Sequence, residues 1–262
     1  MVDPNTAKEV AQVAAVLLKE LGLLEKMNEF LLRPTKHTII LLGASGTGKT
    51  SFCRRLRGLV PYVPREMRSR VSESVKGKLK GKLKLKIIET PGQIIEPFSI
   101  HRRQSISKAM REPNLGIINV VSYGYHEGNV VSNRAITKNN TVKQRFLENR
   151  RHEEILLLDE WKNTLCAPGG PARWLITVCS KADLWWTPTE HSPILQYYDE
   201  GAYYDNLGQS KNIDTSVFPF SSHDQQFFDL VRMSGYYTDN MRIRDEAALI
   251  ARILSNFARV EA

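Results

Sequence analysis

The sequence has little cysteine and no long apolar stretch. Its three cysteines, Cys53, Cys166 and Cys179, are odd in number and far apart, which argues against a disulfide framework and against a zinc site. It has no apolar run of about 18 residues, no secretory signal peptide and no lipidation motif. These absences predict a soluble cytoplasmic protein, in which Cys53 and Cys179 are buried thiols of a reducing compartment.

Acidic residues are scarce in one segment of the chain. Between Lys49 and Arg111 there are 17 Lys and Arg but only 4 Glu and no Asp, and this segment accounts for the whole net charge of +9. Within it, lysines occupy every second position, which is the period of a β-strand, and Gly81 predicts a hairpin turn. We call these lysines the lysine face: Lys76, Lys78, Lys80, Lys82, Lys84 and Lys86.

The lysine face has two interpretations. Lysines on a solvated sheet edge would prevent edge-to-edge association. Alternatively, the face would dock RNA, an anionic membrane or an acidic protein. No aromatic residue lies between the lysines, which disfavours single-stranded nucleic acid bound through base stacking.

A glycine-rich loop follows the apolar run at residues 38–42 and reads G-A-S-G-T-G-K-T. The glycines allow positive φ angles, and the backbone N–H groups and the N-terminus of the following helix would face an anion. The pattern predicts a phosphate-binding loop, in which Lys49 contacts the β- and γ-phosphates and Thr50 binds Mg²⁺. The candidate nucleotide-binding residues of this loop are Gly43, Ala44, Ser45, Gly46, Thr47, Gly48, Lys49, Thr50 and Ser51.

Two further motifs each follow a strand-like apolar run. Residues 89–93 read E-T-P-G-Q; a carboxylate here can hold Mg²⁺, and the glycine N–H can donate to a γ-phosphate. Residues 180–183 read S-K-A-D. Asp183 can accept the N1–H and 2-amino hydrogens of guanine, whereas adenine would leave the carboxylate unpaired. All three motifs lie at the carboxyl ends of strands, where open α/β sheets bind ligands.

Together these motifs resemble those of the Ras-like small GTPases of the P-loop superfamily, over about residues 37–223. The resemblance implies that GTP and GDP are the ligands and Mg²⁺ the cofactor. It also implies two catalytic residues: Gln93, which would orient the attacking water, and Lys49, which would stabilise the transferred phosphoryl group. The other implied ligands are Thr50 and Glu89 for Mg²⁺, Gly92 for the γ-phosphate, and Ser180, Lys181, Asp183 and Ser222 for the nucleotide.

The sequence departs from the family pattern at several positions. Glu89 replaces Asp, Pro91 replaces Ala, and Ser180 replaces Asn or Thr. Residues 221–223, S-S-H, match the last base-contacting loop only weakly. The switch threonine has no threonine counterpart, and its serine candidates are Ser69, Ser72 and Ser74. The departures bear more on catalysis than on binding.

Several arginines near the motifs also have two interpretations. One of them would act as an arginine finger in cis, or all of them would be solvated loop charges. The candidates are Arg65, Arg68, Arg70, Arg102 and Arg103.

The apolar periodicity predicts an N-terminal helical extension at 1–36 and a GTPase domain at 37–262. The alternation of helices and strands predicts a three-layer α/β sandwich, whose mainly parallel sheet includes one antiparallel hairpin strand. Within the domain we expect an insertion at about 123–143, a helix at 142–165, an aromatic-rich loop at 185–206 and a C-terminal helix at 241–259.

The sequence therefore favours a GTP-binding protein that hydrolyses GTP to GDP and phosphate and acts as a nucleotide-dependent molecular switch. Two alternatives remain, an ATP-using P-loop enzyme and a nucleotide-binding interaction module with little hydrolysis. The expected partners besides the nucleotide are a protein effector or activator, an anionic partner on the lysine face, and a second copy in a homodimer.

Overall fold

Six strands form one sheet in this computed structural model. The structure describes residues 12, 13, 16, 37–57, 73–79, 83–93, 97–127, 132–207, 213–222, 226–228, 230–231 and 234–260. The strands are β1 (His37–Leu42), β2 (Glu73–Leu79), β3 (Leu83–Glu89), β4 (Leu115–Val121), β5 (Ala172–Cys179) and β6 (Asp214–Pro219).

The strands lie in the order β2-β3-β1-β4-β5-β6. From β3 to β6 all neighbours are parallel, and β2 pairs with β3 in the antiparallel direction at the edge. Every residue of β1 and β4 is buried, as is typical of parallel strands that are covered on both faces. The predicted α/β fold with a mainly parallel sheet is confirmed.

Helices connect the strands and cover both faces of the sheet. Within the described residues they are α1 (Lys49–Leu56), α2 (Phe98–Ala109), α3 (Ser132–Ala135), α4 (Gln144–Asp159), α5 (Lys162–Leu165), α6 (Ala182–Trp185), α7 (His191–Asp199), α8 (Ala202–Leu207) and α9 (Asp239–Val260). The predicted helix at 142–165 is thus divided into α4 and α5, and the predicted C-terminal helix lies within α9.

Two apolar cores lie on opposite faces of the sheet. The first joins the sheet to α1 and α9, with Phe52 and Phe257 among its buried members. The second joins the sheet to α2, α4 and the helices after β5. A buried ion pair of 2.8 Å between Arg55 Nε and Glu246 Oε2 further links α1 to α9. This layering leaves the carboxyl ends of the parallel strands as the edge where the predicted motifs meet.

The aromatic-rich segment at 185–206 is helical, so the prediction of a loop there is wrong. It contributes to α6, α7 and α8, and Trp185, Tyr198 and Tyr203 are buried in the second core. The helices form because they pack these large side chains against the sheet, and local composition gives little indication of that packing.

The insertion at 123–143 contains α3 and an isolated bridge between Ile136 and Val142. Ile136 packs with Phe146, Phe227 and Phe228 in a small separate apolar cluster. Of the predicted N-terminal extension, residues 12, 13 and 16 are described and helical. Val13 packs against the first core, and the remainder of that prediction lies outside the described residues.

All three cysteines are free and buried, as the sequence predicts for Cys53 and Cys179. Burial raises the pKa of the Cys179 thiol well above its usual value. Over the part of the chain that the structure describes, no helix combines the length and the apolar character needed to cross a bilayer.

Candidate functional site

The glycine-rich loop connects β1 to α1 and has the backbone that the sequence predicts. Gly43, Gly46 and Gly48 have φ angles of 130°, 83° and 89°. A Cβ atom on Gly43 would lie 2.1 Å from the carbonyl oxygen of Val120, so the position has no room for a side chain. Gly48 precedes α1 without a side-chain cap, and the first N–H groups of this helix therefore form an anion-binding terminus.

Lys49 lies across this loop and is almost fully buried. Its Nζ atom donates to the carbonyl oxygens of Gly43 and Ala44, both at 2.8 Å. Burial lowers the pKa of Lys49 to about 8, although the nearby Glu89 carboxylate acts in the opposite direction; the Arg102 charge lowers it further. A bound phosphate would favour the charged ammonium, so nucleotide binding and protonation of Lys49 are coupled.

The proposed Mg²⁺ ligands are adjacent. The Thr50 hydroxyl donates to Glu89 Oε1, and the Glu89 side chain is long enough to make this contact directly. One hydroxyl and one carboxylate suit Mg²⁺, which commonly takes one or two protein oxygens together with nucleotide phosphates and waters. Among the described residues no group of three or more His, Cys, Asp or Glu could hold a metal ion.

The loop after β3 lies against the phosphate-binding loop. The Thr90 hydroxyl donates to the carbonyl oxygen of Leu41 at 2.8 Å, which ties the end of β3 to β1. A Cβ atom on Gly92 would lie 2.4 Å from Lys49 Nζ and 2.5 Å from the Ser45 nitrogen. The Gly92 backbone therefore lies beside the place where a γ-phosphate would meet Lys49. Gln93 follows at a half-buried position.

Both interpretations of Arg102 are wrong. Its side chain is only 1% exposed and donates to Glu160 at the end of α4, so it is neither a solvated charge nor an arginine that points at the nucleotide. Arg103, by contrast, is exposed, and the other three candidates lie outside the described residues. The stripe of α2 that is buried with Arg102 includes the polar residues Ser99 and Ser105, so apolar periodicity does not reveal it.

The predicted base-recognition motif is linked to the phosphate-binding loop by a hydrogen bond. Ser180 Oγ lies 2.6 Å from the carbonyl oxygen of Thr47 and 2.8 Å from that of Val121, and its single proton is shared between these two acceptors. Lys181 adopts a left-handed backbone with φ of 58°, and its Nζ atom lies 5.5 Å from the ring centroid of Phe227. Two segments that are 133 residues apart are therefore held at one site.

Asp183 is 3% exposed and accepts a hydrogen bond of 2.6 Å from Ser221 Oγ. The Ala182 N–H donates to the carbonyl oxygen of Phe220 at 3.1 Å, so the segment after β6 lies beside the motif. The sequence indicates Ser222 as a nucleotide ligand, and this residue is half-buried next to Ser221, which donates to Asp183. Two adjacent serines cannot be distinguished by spacing alone.

Solved structures share the fold of this chain. Toc33 from Arabidopsis thaliana in complex with Mg²⁺ and GMPPNP has a TM-score of 0.52 at 14% identity, over 91% of this chain and 93% of that chain. A dimerization-deficient mutant of Toc33 has a TM-score of 0.51 at 12% identity, over 98% of this chain and 93% of that chain. The Arl6 small GTPase of Trypanosoma brucei, with a bound nucleotide analogue, has a TM-score of 0.50 at 11% identity, over 87% of this chain and 100% of that chain.

The chain has the Ras-like P-loop GTPase fold. At these identities the likeness concerns the GTPase fold alone. No family model matches the sequence, and a search of curated proteins gives no match.

Proposed function

We propose that this chain binds GTP and GDP through residues 37–262, hydrolyses GTP to GDP and phosphate, and acts as a switch that an effector or activator recognises. The observation that carries the proposal is the hydrogen bond from the Ser180 hydroxyl to the carbonyl oxygen of Thr47. This hydrogen bond supports the proposal because it holds the segment that contains Asp183, the candidate guanine-binding carboxylate, beside the phosphate-binding loop. The free buried cysteines support a reducing compartment such as the cytoplasm.

In the proposed mechanism, Lys49 and the loop N–H groups bind the phosphates, while Gly92 contacts the γ-phosphate and Gln93 orients a water molecule. The water oxygen attacks the γ-phosphorus in line, and the bond to the bridging oxygen of GDP breaks. Thr50 and Glu89 would hold Mg²⁺, which neutralises charge on the phosphate oxygens. These residues would contribute mainly by positioning the reactants and by stabilising the charge of the transition state.

Replacing Gln93 by leucine tests the hydrolytic part. We expect single-turnover GTP hydrolysis to fall at least about tenfold, because water orientation contributes to the barrier, while GTP affinity stays within about twofold. The matched control is Gln104→Leu at an exposed position of α2. Equal rates in the wild type and Gln93→Leu would remove Gln93 from the mechanism, and a wild type without turnover would favour the interaction module.

A second copy of the chain is a proposed partner. Dimerization is important for the GTPase activity of the chloroplast translocon components atToc33 and psToc159. The same hydrolysis assay, run over a range of protein concentrations, checks this proposal for the present chain. A rate per molecule that rises with concentration supports a dimer, and a constant rate argues against it.

The lysine face is proposed to dock an anionic partner. Lys76 lies opposite Lys86, and Lys78 opposite Lys84, in the register of β2 and β3. Like charges in directly opposed positions destabilise a sheet, and a bound polyanion would offset their repulsion. Because Lys86 is paired with Glu112, changing Lys86 would also remove an ion pair, and the test therefore uses two lysines of β2.

A double variant, Lys76→Gln with Lys78→Gln, should therefore elute from immobilised heparin at clearly lower salt than the wild type. Each ionic contact that is lost weakens the affinity for a polyanion. The control removes two exposed lysines elsewhere, Lys138→Gln with Lys143→Gln. If both double variants elute together, the lysine face has no special affinity for polyanions and acts only as a protected sheet edge.

A further inference from the structure

Arg102 links three parts of the molecule around the candidate γ-phosphate position. It extends from α2, and its Nε and Nη2 atoms donate to the two carboxylate oxygens of Glu160 at 2.7 and 2.6 Å. Its Nη1 atom donates to the carbonyl oxygens of Pro91 and Gln93 at 3.2 and 2.6 Å. A bidentate pair of this kind fixes the orientation of the guanidinium plane. The third nitrogen is therefore held in place at the loop that contains Gly92.

The two accepted carbonyls flank Gly92 in the chain. In a trans peptide unit the C=O and N–H groups point in opposite directions. The carbonyl of Pro91 belongs to the same peptide unit as the N–H of Gly92. Because Arg102 holds that carbonyl, the Gly92 N–H is directed away from Arg102.

On the other side of Gly92 lies the phosphate-binding loop. The tight approach of Gly92 to Lys49 and Ser45 shows that this loop is within reach of the Gly92 backbone. A γ-phosphate bound beside Lys49 would thus lie near the Gly92 N–H. A β-phosphate is held mainly by the loop itself and would depend less on this peptide.

We propose that Arg102, held by Glu160, is a positioning residue that orients the Gly92 peptide so that the site distinguishes GTP from GDP. This inference rests on the proposed function. The Arg102–Glu160 pair joins α2 to the end of α4, so any partner that moves either helix would change the preference for the triphosphate. Arg102 would support the contact between the Gly92 N–H and the γ-phosphate without touching the nucleotide itself.

The test compares affinities for GDP and for the non-hydrolysable analogue GMPPNP in the wild type, Arg102→Lys and Glu160→Gln. A lysine cannot supply the forked contact, and a neutral glutamine weakens it. We expect GMPPNP affinity to fall about tenfold in Arg102→Lys and by a smaller factor in Glu160→Gln, with GDP affinity within about twofold. Arg111→Lys, at an exposed position after α2, is the matched control.

The outcomes separate the two proposals. An equal loss of GDP and GMPPNP affinity, or no loss of either, in a variant that unfolds at the wild-type temperature overturns the positioning role. If Arg102→Lys does not fold, Glu160→Gln decides, because it keeps the Arg102 side chain and weakens only the pair that orients it. A wild type that binds neither guanine nucleotide defeats the proposed function first, before any variant is compared.

Discussion

Replacing Asp183 by asparagine should change the base preference from guanine to xanthine. The carboxylate can accept two N–H groups of guanine, whereas an asparagine amide can accept only one and presents a donor to the second. Xanthine has a carbonyl in place of the 2-amino group, so this amide donor gains a partner. Each hydrogen bond to a charged group contributes about 1.5–3 kcal/mol, and we expect GTP affinity to fall about 100-fold while XTP becomes the better ligand.

The measurement is displacement of a fluorescent GDP analogue by GTP, ATP and XTP, for the wild type, Asp183→Asn and Asp199→Asn. Asp199 lies at the exposed end of α7 and serves as the control. The hydrogen bond from Ser221 can be retained by the asparagine oxygen, which favours a folded variant. ATP that competes as well as GTP, with no effect of Asp183→Asn, would leave only the phosphate-binding loop and favour an ATP-using enzyme.

Replacing Lys49 by methionine should weaken binding of both GDP and GTP by about 100-fold or more. The ammonium would make charge-assisted contacts with the phosphates, each contributing about 1.5–3 kcal/mol. Methionine keeps a similar apolar stem but has no charge. Lys138→Met at an exposed position of the insertion is the control.

The pH dependence of GDP affinity provides a second measure of the same residue. The pKa of Lys49 is lowered to about 8 in the free protein, and a bound phosphate would raise it. Binding then takes up a proton above pH 8 and none well below it. GDP affinity should therefore be constant below pH 7 and decrease by up to about tenfold per unit as the pH rises above 8, whereas Lys49→Met should show no such decrease. A similar slope in Lys49→Met would assign the dependence to another group.

The sheet edge that carries the three motifs could be predicted from the sequence because each motif is local. An apolar run followed by a glycine-rich turn defines β1 and its loop, and the short motifs at 89–93 and 180–183 each follow another buried strand. Since the carboxyl ends of parallel strands meet at one edge, these motifs had to come together. The structure adds the contact from Ser180 to Thr47, which joins the motif at 180–183 to the phosphate-binding loop.

The remaining features depend on contacts between distant segments. The burial of Arg102 requires Glu160, which is 58 residues away, and a single sequence gives no sign of that pairing. The helices at 182–207 form because aromatic side chains pack against the sheet. Ser221 and Ser222 are neighbours with the same side chain, and spacing alone does not show that Ser221 donates to Asp183.

The ion pair between Arg55 and Glu246 joins residues 191 positions apart, and its consequence concerns synthesis on the ribosome. The helix that follows the phosphate-binding loop is covered by α9, which emerges after every strand of the sheet. Until α9 has left the exit tunnel, α1 and this face of the sheet, with Phe52 on the helix and Ile39 on β1, lack the cover that α9 provides. The nascent chain therefore exposes an apolar surface for most of its translation, a state in which chaperones bind and neighbouring chains aggregate.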